Sequence, residues 1–351
     1  MTVEVWAAEN TTPADIDSAL RNLLEEQHAA GETYVPARVI NMVAVVDASW
    51  RGEVLNRLER VGRYHPSRTV LCVVEEGRTT LDASARLSAD GTGDPSLISV
   101  VEERVEIRMG PSHLKRLDAI VDPLILADLI TVVWAPHGHH EAIEAMRSLA
   151  DVVLLDSSDD PNPARAISWV CRLRNHCYVV DLAWLRSTPW RERVAATFDP
   201  PEWRPALRQI SKVTIRHRPD SAVSGVLLLG WLASRLHWTP GSLVLENGRH
   251  HGRARAGKLE VSLQLEPVPD LGAPGLGGIT IETADGMTLS LDRSEGGLAA
   301  RRRMRDGTES SWVVLGASRG EAGILGEGIR QALLRDPTYE PAVRCAGDML
   351  S

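Results

Sequence analysis

Two apolar runs rich in valine, at residues 38–47 and 69–74, constrain the fold more strongly than any other feature of the sequence. Neither run alternates between apolar and polar residues, and continuous runs of this kind are typical of strands with both faces buried. Residues 50–61 lie between them and show the apolar spacing of an amphipathic helix. This order predicts two parallel strands joined by a right-handed crossover.

The alternation of strands and helices continues to residue 205. Further strands are predicted at 79–87, 98–107, 131–134 and 152–155, with helices at 13–30, 111–117, 140–149, 163–174 and from 181 to before 198. Three prolines within residues 198–205 exclude a helix interior there. We therefore predict an α/β N-terminal domain over residues 1–205, Rossmann-like and layered, with a mostly parallel sheet.

The second half has a different pattern. Strands are predicted at 210–216, 259–265, 278–283, 287–291, 298–304 and 311–315, and helices at 221–236 and 322–334. Short alternating strands are typical of an antiparallel sheet, so residues 206–351 are predicted to form an α+β C-terminal domain. The first half is also the acidic one, because residues 1–207 contain 21 Lys and Arg against 31 Asp and Glu, whereas the whole chain contains 39 against 47.

Composition excludes several classes of protein. The net charge of −8 argues against sequence-independent nucleic-acid binding, which needs a basic surface. No apolar stretch reaches the ~20 residues that span a bilayer, so we expect no membrane association. Four cysteines are too few for a secreted disulfide framework, and residues 1–10 lack the basic cluster of a signal peptide. We expect a soluble cytoplasmic protein.

A glycine-rich turn at residues 313–323, VVLGASRGEAG, is similar to the turn that binds pyrophosphate in short-chain dehydrogenases. Its position argues against that function, because only 28 residues follow and a dinucleotide domain needs several further strand–helix units. Glu321 also places a negative charge where phosphate would bind. We expect a structural turn and no cofactor.

A basic segment between the predicted helix at 50–61 and the predicted strand at 69–74 is a candidate anion site. Arg63, His65 and Arg68, with Ser67, could hold a phosphate or a carboxylate through charge-assisted hydrogen bonds. The segment leads into the amino end of its strand, whereas ligands of parallel sheets bind at the carboxyl ends. A structural or partner-contact role is therefore favoured.

Two further groups of residues invite a chemical interpretation. His137, His139 and His140 follow the strand at 131–134, but adjacent histidines point differently, so a loop that contacts a partner is favoured over a metal site. Cys171 and Cys177 lie near Arg and His residues that could lower a thiol pKa. Reduced, half-buried thiols are the favoured alternative to a redox sensor.

The densest cluster of aromatic and basic residues lies in residues 181–201. Trp and Arg are over-represented among the anchors of protein interfaces, so exposed Trp184, Arg186, Trp190 and Arg191 are the predicted partner-binding residues. Arg63, His65 and Arg68 form the second predicted group. No nucleophile set or paired-carboxylate motif is found by spacing, and no catalytic residue is predicted.

Four long segments carry a family resemblance, namely RVGRYHPSRTVLC (60–72), VDPLILADLITVVWAPHGH (121–139), YVVDLAWLRSTPWRERVAATFDPP (178–201) and RHRPDSAVSGVLLLGWLASRL (216–236). They resemble the bacterial glucose-6-phosphate dehydrogenase assembly protein family, OpcA. The resemblance implies a non-enzymatic protein whose partner is glucose-6-phosphate dehydrogenase and which supports NADPH production. A sugar-phosphate- or nucleotide-binding α/β protein, an enzyme, and a scaffold without activating effect remain alternatives.

Overall fold

The chain divides into two compact units built from interleaved segments. Unit 1 takes its described residues from Met1–Leu155, His176–Val180 and Gly320–Leu334, and unit 2 from Asp156–Asn175, Asp181–Arg319 and Arg335–Ser351. The structure, a computed structural model, describes residues 3–29, 38–62, 65–89, 101–294, 297–315 and 320–351. The chain therefore passes between the units several times.

Eight strands form the first sheet. They are β1 (Val3–Ala8), β2 (Ile40–Asp47), β3 (Ser67–Val74), β4 (Asp82–Ala89), β5 (Val101–Met109), β6 (Ile130–Trp134), β7 (Val152–Leu155) and β8 (Tyr178–Asp181). Their order in the sheet is β1-β4-β5-β3-β2-β6-β7-β8. The pairs β5–β3, β3–β2, β2–β6 and β6–β7 are parallel, whereas β1 and β4 add antiparallel pairs at one edge.

The valine-rich runs occupy the centre of this sheet. In β2 every residue from Ile40 to Val46 is buried, and in β3 every residue from Arg68 to Val74 is buried. Helices cover both faces in such a sheet, which is why the sequence shows no polar alternation there. The predicted parallel pair is confirmed, with Val43 opposite Val70 in the register.

Ten α-helices lie in the described chain. They are α1 (Pro13–Ala29), α2 (Arg51–Gly62), α3 (Leu117–Val121), α4 (His140–Ala145), α5 (Pro163–Leu173), α6 (Leu182–Arg186), α7 (Thr188–Phe198), α8 (Ala222–Arg235), α9 (Gly320–Leu334) and α10 (Tyr339–Leu350). Although α9 follows the second sheet in sequence, it belongs to unit 1 and packs against α2. None of these helices is both long and apolar enough to cross a bilayer.

The second sheet has nine strands and lies in unit 2. They are β9 (Ile210–His217), β10 (Thr239–Pro240), β11 (Val244–Glu246), β12 (Arg249–Ala256), β13 (Leu259–Pro267), β14 (Leu276–Thr283), β15 (Thr288–Ser294), β16 (Gly297–Arg303) and β17 (Glu309–Leu315). Their order is β10-β12-β13-β9-β14-β15-β16-β17, and β11 pairs with β12. Each pair is antiparallel except β13–β9, which is parallel.

The predicted fold class is confirmed, with differences at particular elements. Sequence patterns missed the strands β1, β8, β10, β11 and β12 and the helix α10, and they predicted one helix where α6 and α7 are separated by Ser187. The Ser187 hydroxyl donates a hydrogen bond to the Trp184 carbonyl oxygen at 2.7 Å, which occupies a helix-end carbonyl. The domain boundary predicted between residues 205 and 206 stays a prediction.

The apolar helix α8 is the centre of unit 2 and packs against α10, β9 and β13. Gly230 makes the close approach to α10 possible, because a Cβ at this position would lie 2.3 Å from the backbone oxygen of Ala342. A backbone oxygen in a packed helix cannot move aside as the end of a side chain can. The spacing of these two helices therefore depends on glycine.

Replacing Gly230 with alanine is expected to lower the free energy of unfolding by about 1–3 kcal/mol, the usual cost of overpacking a core. Urea unfolding followed by circular dichroism measures the change. Gly52→Ala in α2 is the matched control, because a Cβ there meets no atom within 4 Å. The control is expected to be neutral or to stabilise by about 0.5–1 kcal/mol. Equal midpoints for the two variants would contradict the proposed close approach.

Candidate functional site

Asp181 is the centre of a buried polar network in unit 2. It lies at the end of β8 and caps α6, since its Oδ1 accepts hydrogen bonds from the backbone N–H groups of Ala183 at 2.9 Å and Ser157 at 3.1 Å. Its Oδ2 accepts a hydrogen bond from the hydroxyl of Tyr339 at 3.1 Å. Asp181 is only 1% exposed, so these three donors replace its hydration.

The environment of Asp181 favours its protonated form. Burial raises the pKa of this carboxyl to about 6, and the nearby charge of Asp156 adds to the rise, while the hydrogen bonds from Ser157 and Tyr339 oppose it. Burial and the charge of Asp181 also raise the pKa of the Tyr339 phenol well above its ordinary value. Tyr339 therefore remains a hydrogen-bond donor at neutral pH.

Trp184 and Arg191 form the second part of the network. The Trp184 indole Nε1 donates a hydrogen bond to Asp336 Oδ2 at 2.8 Å. The Arg191 guanidinium carbon lies 3.4 Å from the centroid of the Trp184 ring, and Arg191 Nη1 lies 3.7 Å from Asp336 Oδ2. The Asp336 carboxylate thus contacts both the indole of Trp184 and the guanidinium of Arg191 that stacks on it. These contacts join α6 and α7 to the turn before α10.

Arg191 is held in place from several sides. Its Nη2 donates hydrogen bonds to Thr188 Oγ1 at 2.7 Å and to the Trp184 carbonyl oxygen at 3.3 Å. Burial lowers the pKa of Arg191 to about 10, although the charge of Asp336 opposes the decrease. The guanidinium therefore stays charged at neutral pH, and its interactions with Asp336 and the indole persist.

The expected exposure of the first predicted group is wrong for three of its four residues. Trp184 is 1% exposed, Trp190 is 4% exposed and Arg191 is 7% exposed. The physical reason is that the indole N–H of Trp184 and the guanidinium of Arg191 have their partner, Asp336, within unit 2. Arg186 differs, because it pairs with Asp156 while 24% of its side chain remains exposed.

The residues of the second predicted group, Arg63, His65 and Arg68, also differ from one another in their surroundings. Arg63 lies outside the described residues, and His65 is half-buried, with its pKa lowered by burial and by the charge of Arg330. Arg68 is 6% exposed, and its Nε donates to Glu103 Oε2 at 2.8 Å. Glu103 is itself buried and also pairs with Arg38. Arg68 is thus part of a buried ion-pair group, and the structure does not bring it to the surface.

The thiols are not activated by their surroundings. Burial raises the pKa of Cys72 to about 12 and that of Cys177 to about 11. Burial also raises the pKa of Cys171 and Cys345, in the first case against the nearby charge of Arg174. Reactive cysteines have a lowered pKa, so these surroundings favour the thiol form of all four.

The histidine candidates do not form a metal-ligating set within the described ranges. Among these residues no three His, Cys, Asp or Glu side chains converge as a metal site would require.

A groove over β11–β13 is lined by charged side chains that pair with one another. His251 Nε2 lies 3.4 Å from Glu246 Oε2, and Arg249 Nη1 lies 3.8 Å from Glu266 Oε1.

Sequence reasoning missed Asp336 and Tyr339, the two residues that complete the network. The prediction ended the last helix at residue 334 and placed no element after it. The signal was available, because buried Ala342, Val343 and Ala346 follow helical spacing after the turn. What no local pattern could show is the pairing of Trp184 with a carboxylate 152 positions away.

The raised pKa of Asp181 predicts a specific pH dependence. A carboxyl with a folded-state pKa of about 6 and an ordinary value of 3.8 stabilises the fold most below the ordinary value. That contribution is lost as the pH rises through the folded-state pKa. Asp181→Asn keeps an acceptor for Ser157 and Ala183 but does not ionise. From about pH 4.5 to pH 7, the wild type is expected to lose about 2 kcal/mol relative to the variant.

Urea unfolding at a series of pH values measures the difference. Asp270→Asn, at an exposed carboxylate, is the matched control and is expected to follow the wild-type curve. Parallel curves for the wild type and Asp181→Asn would show that the Asp181 carboxyl is not perturbed.

Two family models match consecutive parts of the chain. Residues 58–172 match the model described as the N-terminal domain of the glucose-6-phosphate dehydrogenase subunit. Residues 177–343 match the model described as the C-terminal domain of the same protein. Together the two models cover most of the sequence, in the order that their descriptions give.

Cyanobacterial relatives that carry the name OxPP cycle protein OpcA are similar to this chain. The protein of Synechocystis sp. is 29% identical over 241 residues, which cover 67% of this chain and 50% of the relative. The protein of Synechococcus elongatus is 28% identical over 235 residues, or 64% of this chain and 52% of the relative. The chain thus spans about half the length of the curated relatives it matches.

Solved structures with a similar arrangement of strands and helices share little sequence with this chain. UDP-N-acetylglucosamine 3-dehydrogenase GnnA from Acidithiobacillus ferrooxidans is 10% identical with a TM-score of 0.48, covering 88% of this chain and 95% of that one. Gal80p from Saccharomyces cerevisiae is 9% identical with a TM-score of 0.47, covering 88% and 94%. Similarity at this level carries no conclusion about chemistry.

The segments that resemble OpcA in the sequence contain, in the structure, strands β3, β6 and β8 of the first sheet and helices α6, α7 and α8. The two family models extend over the same segments. On this evidence the chain belongs to the OpcA family of glucose-6-phosphate dehydrogenase assembly proteins.

Proposed function

We propose that this chain is a non-enzymatic assembly factor and allosteric activator of glucose-6-phosphate dehydrogenase. In this function it acts in the cytoplasm and supports NADPH production in the oxidative pentose phosphate pathway. The observation that carries the proposal is the consecutive match of residues 58–172 and 177–343 to the two domain models that describe a dehydrogenase subunit.

An activator of this kind works through a difference in affinity. It binds the substrate-competent conformation or oligomer of the dehydrogenase more tightly than the other states and so increases its population. A ligand that bound all states equally would change nothing, however tightly it bound. A 100-fold preference corresponds to about 2.7 kcal/mol of coupling free energy.

The polar network of unit 2 supports a structural role for its residues. Asp181, Tyr339, Asp336 and Arg191 have shifted pKa values, which in many proteins mark a catalytic site. Burial is the main cause of the shifts of Asp181, Arg191 and Tyr339, and Asp181 and Tyr339 are almost fully buried. Burial also acts to raise the pKa of Asp336, but hydrogen bonds from Thr338 and Trp184 and the charge of Arg191 lower it overall. Such groups hold helices in position and do not meet a substrate.

The predicted contact residues therefore have two roles in the proposal. Trp184, Trp190 and Arg191 fix the shape of the segment that carries the docking surface, because they are buried. Arg186 and His65 are partly exposed and are the candidates for direct contact with the dehydrogenase.

Titrating the chain into purified glucose-6-phosphate dehydrogenase is expected to lower the KM for glucose 6-phosphate or to raise kcat, in a saturable manner. Initial rates of NADPH formation measure both parameters. The chain without the dehydrogenase is expected to form no NADPH from glucose 6-phosphate and NADP, and these compounds alone are expected to leave its unfolding midpoint unchanged. Unchanged dehydrogenase kinetics at saturating chain would refute activation.

Arg186→Ala is expected to raise the concentration of chain needed for half-maximal activation by about 5-fold, a typical loss for one charged contact at an interface. Arg165→Ala is the matched control, because Arg165 also pairs with an aspartate, Asp160, in unit 2. The unfolding midpoint of each variant is measured alongside to separate docking from folding. If both variants activate like the wild type, Arg186 is not a contact residue.

A further inference from the structure

A second surface lies in unit 1 at the point where the order of the parallel strands reverses. From β2 the chain proceeds to β3 on one side of the sheet, and β6 and β7 follow on the other side. The carboxyl ends of β2 and β6 therefore border the crevice in which open α/β sheets usually bind ligands. Asp47 ends β2, and residues 135–139 form the loop after β6.

Two contacts join the loops that leave these strands. The rings of Trp50 and His137 stack, with centroids 4.4 Å apart and an angle of 23° between their planes. His139 Nε2 lies 3.1 Å from Asp47 Oδ1. Asp47 and Trp50 are three residues apart at a 3-10 turn, in which side chains at this spacing lie on the same side. We call these four residues the Trp50 cluster.

The loop after β6 is held in an unfavourable conformation. His137 has φ of 66°, Gly138 has φ of 118° and His139 has φ of 50°. Residues other than glycine adopt this left-handed region at a cost, and they do so mainly at functional sites where surrounding contacts hold them. The stack on Trp50 holds His137, and His139 Nε2 lies beside Asp47 Oδ1 without forming a hydrogen bond to it.

The Trp50 cluster leaves an indole and a carboxylate exposed. Trp50 is 42% exposed although His137 covers one of its faces, and the side chain of Asp47 is 48% exposed. A neighbouring carboxylate at this end of the sheet has an arginine partner, since Glu75, directly after β3, pairs with Arg78. Among the described residues Asp47 has no arginine or lysine partner, and its contact with His139 is an ion pair only when that imidazole is protonated.

This chemistry excludes an anion and favours a cation. Phosphate sites at this position need glycine after the strand, so that backbone N–H groups can approach the ligand. Here Asp47 is followed by Ala48, Ser49 and Trp50, and its carboxylate repels phosphate. A guanidinium, in contrast, stacks on an indole and pairs with a carboxylate through a planar fork of N–H donors.

We propose that the Trp50 cluster is a docking site for an arginine side chain on the surface of the dehydrogenase, and this proposal rests on the function proposed above. The arginine stacks on the free face of Trp50 and donates hydrogen bonds to Asp47. The excess of acidic residues in positions 1–207, 31 against 21 basic ones, attracts a basic surface to this half of the chain.

Binding of the full chain to purified glucose-6-phosphate dehydrogenase, measured by biolayer interferometry, tests the proposal. Trp50→Ala is expected to weaken binding by about 10-fold or more, Asp47→Asn by about 5-fold, and Trp50→Phe by less than Trp50→Ala. The effects of Trp50→Ala and Asp47→Asn are expected to be non-additive, since both residues contact the same arginine. Leu245→Ala, at a residue 61% exposed in unit 2, is the control and is expected to bind like the wild type.

The outcomes separate the two proposals. If the wild type does not bind the dehydrogenase, the proposed function fails. If the wild type binds and both Trp50→Ala and Asp47→Asn, folded by circular dichroism, bind equally well, the docking site is refuted while the proposed function stands.

A competition experiment tests the guanidinium chemistry. Arginine hydrochloride is expected to weaken wild-type binding more than lysine hydrochloride at equal ionic strength, because an ammonium lacks the planar fork. Trp50→Ala is expected to remove that difference. Equal inhibition of the wild type by arginine and lysine would show that the site does not select arginine.

Discussion

Unit 2 depends on the burial of one carboxyl group, Asp181. A buried carboxyl without partners would be strongly destabilising, so its oxygens must accept hydrogen bonds from the surrounding chain. Ser157, Ala183 and Tyr339 supply them, and in doing so they bring the end of β8, the start of α6 and the start of α10 to one point. The adjacent Trp184–Asp336–Arg191 contacts follow from this arrangement, because Asp336 precedes Tyr339 at the same turn.

The sequence predicts the sheets better than it predicts the network. Continuous valine-rich runs require burial on both faces, which is a local property, and β2 and β3 formed as predicted. The density of Trp and Arg residues also drew attention to Trp184 and Arg191, but the prediction that both are exposed interface anchors was wrong. Their partner Asp336 lies 152 positions from Trp184 along the chain, and only the folded chain brings it to the indole.

The residues of the two units can be compared with what a family of assembly proteins needs, which is a surface for a partner. In unit 2, Asp181 and Trp184 from a segment that carries the family resemblance are hydrogen-bonded to other residues of the same unit, namely Tyr339 and Asp336. In unit 1 the crevice at the strand reversal has an aspartate and a tryptophan where a nucleotide-binding sheet would have glycine. The proposed arginine docking site therefore rests on the chemistry of these residues and not on the α/β architecture.

Activation through substrate affinity requires that this chain and glucose 6-phosphate strengthen each other's binding to the dehydrogenase. The dissociation constant of the complex between this chain and the dehydrogenase, measured with and without glucose 6-phosphate, tests this most directly. Reciprocity predicts tighter binding with the sugar phosphate, by the same factor by which the chain increases substrate affinity. An identical dissociation constant under both conditions would contradict activation through substrate affinity.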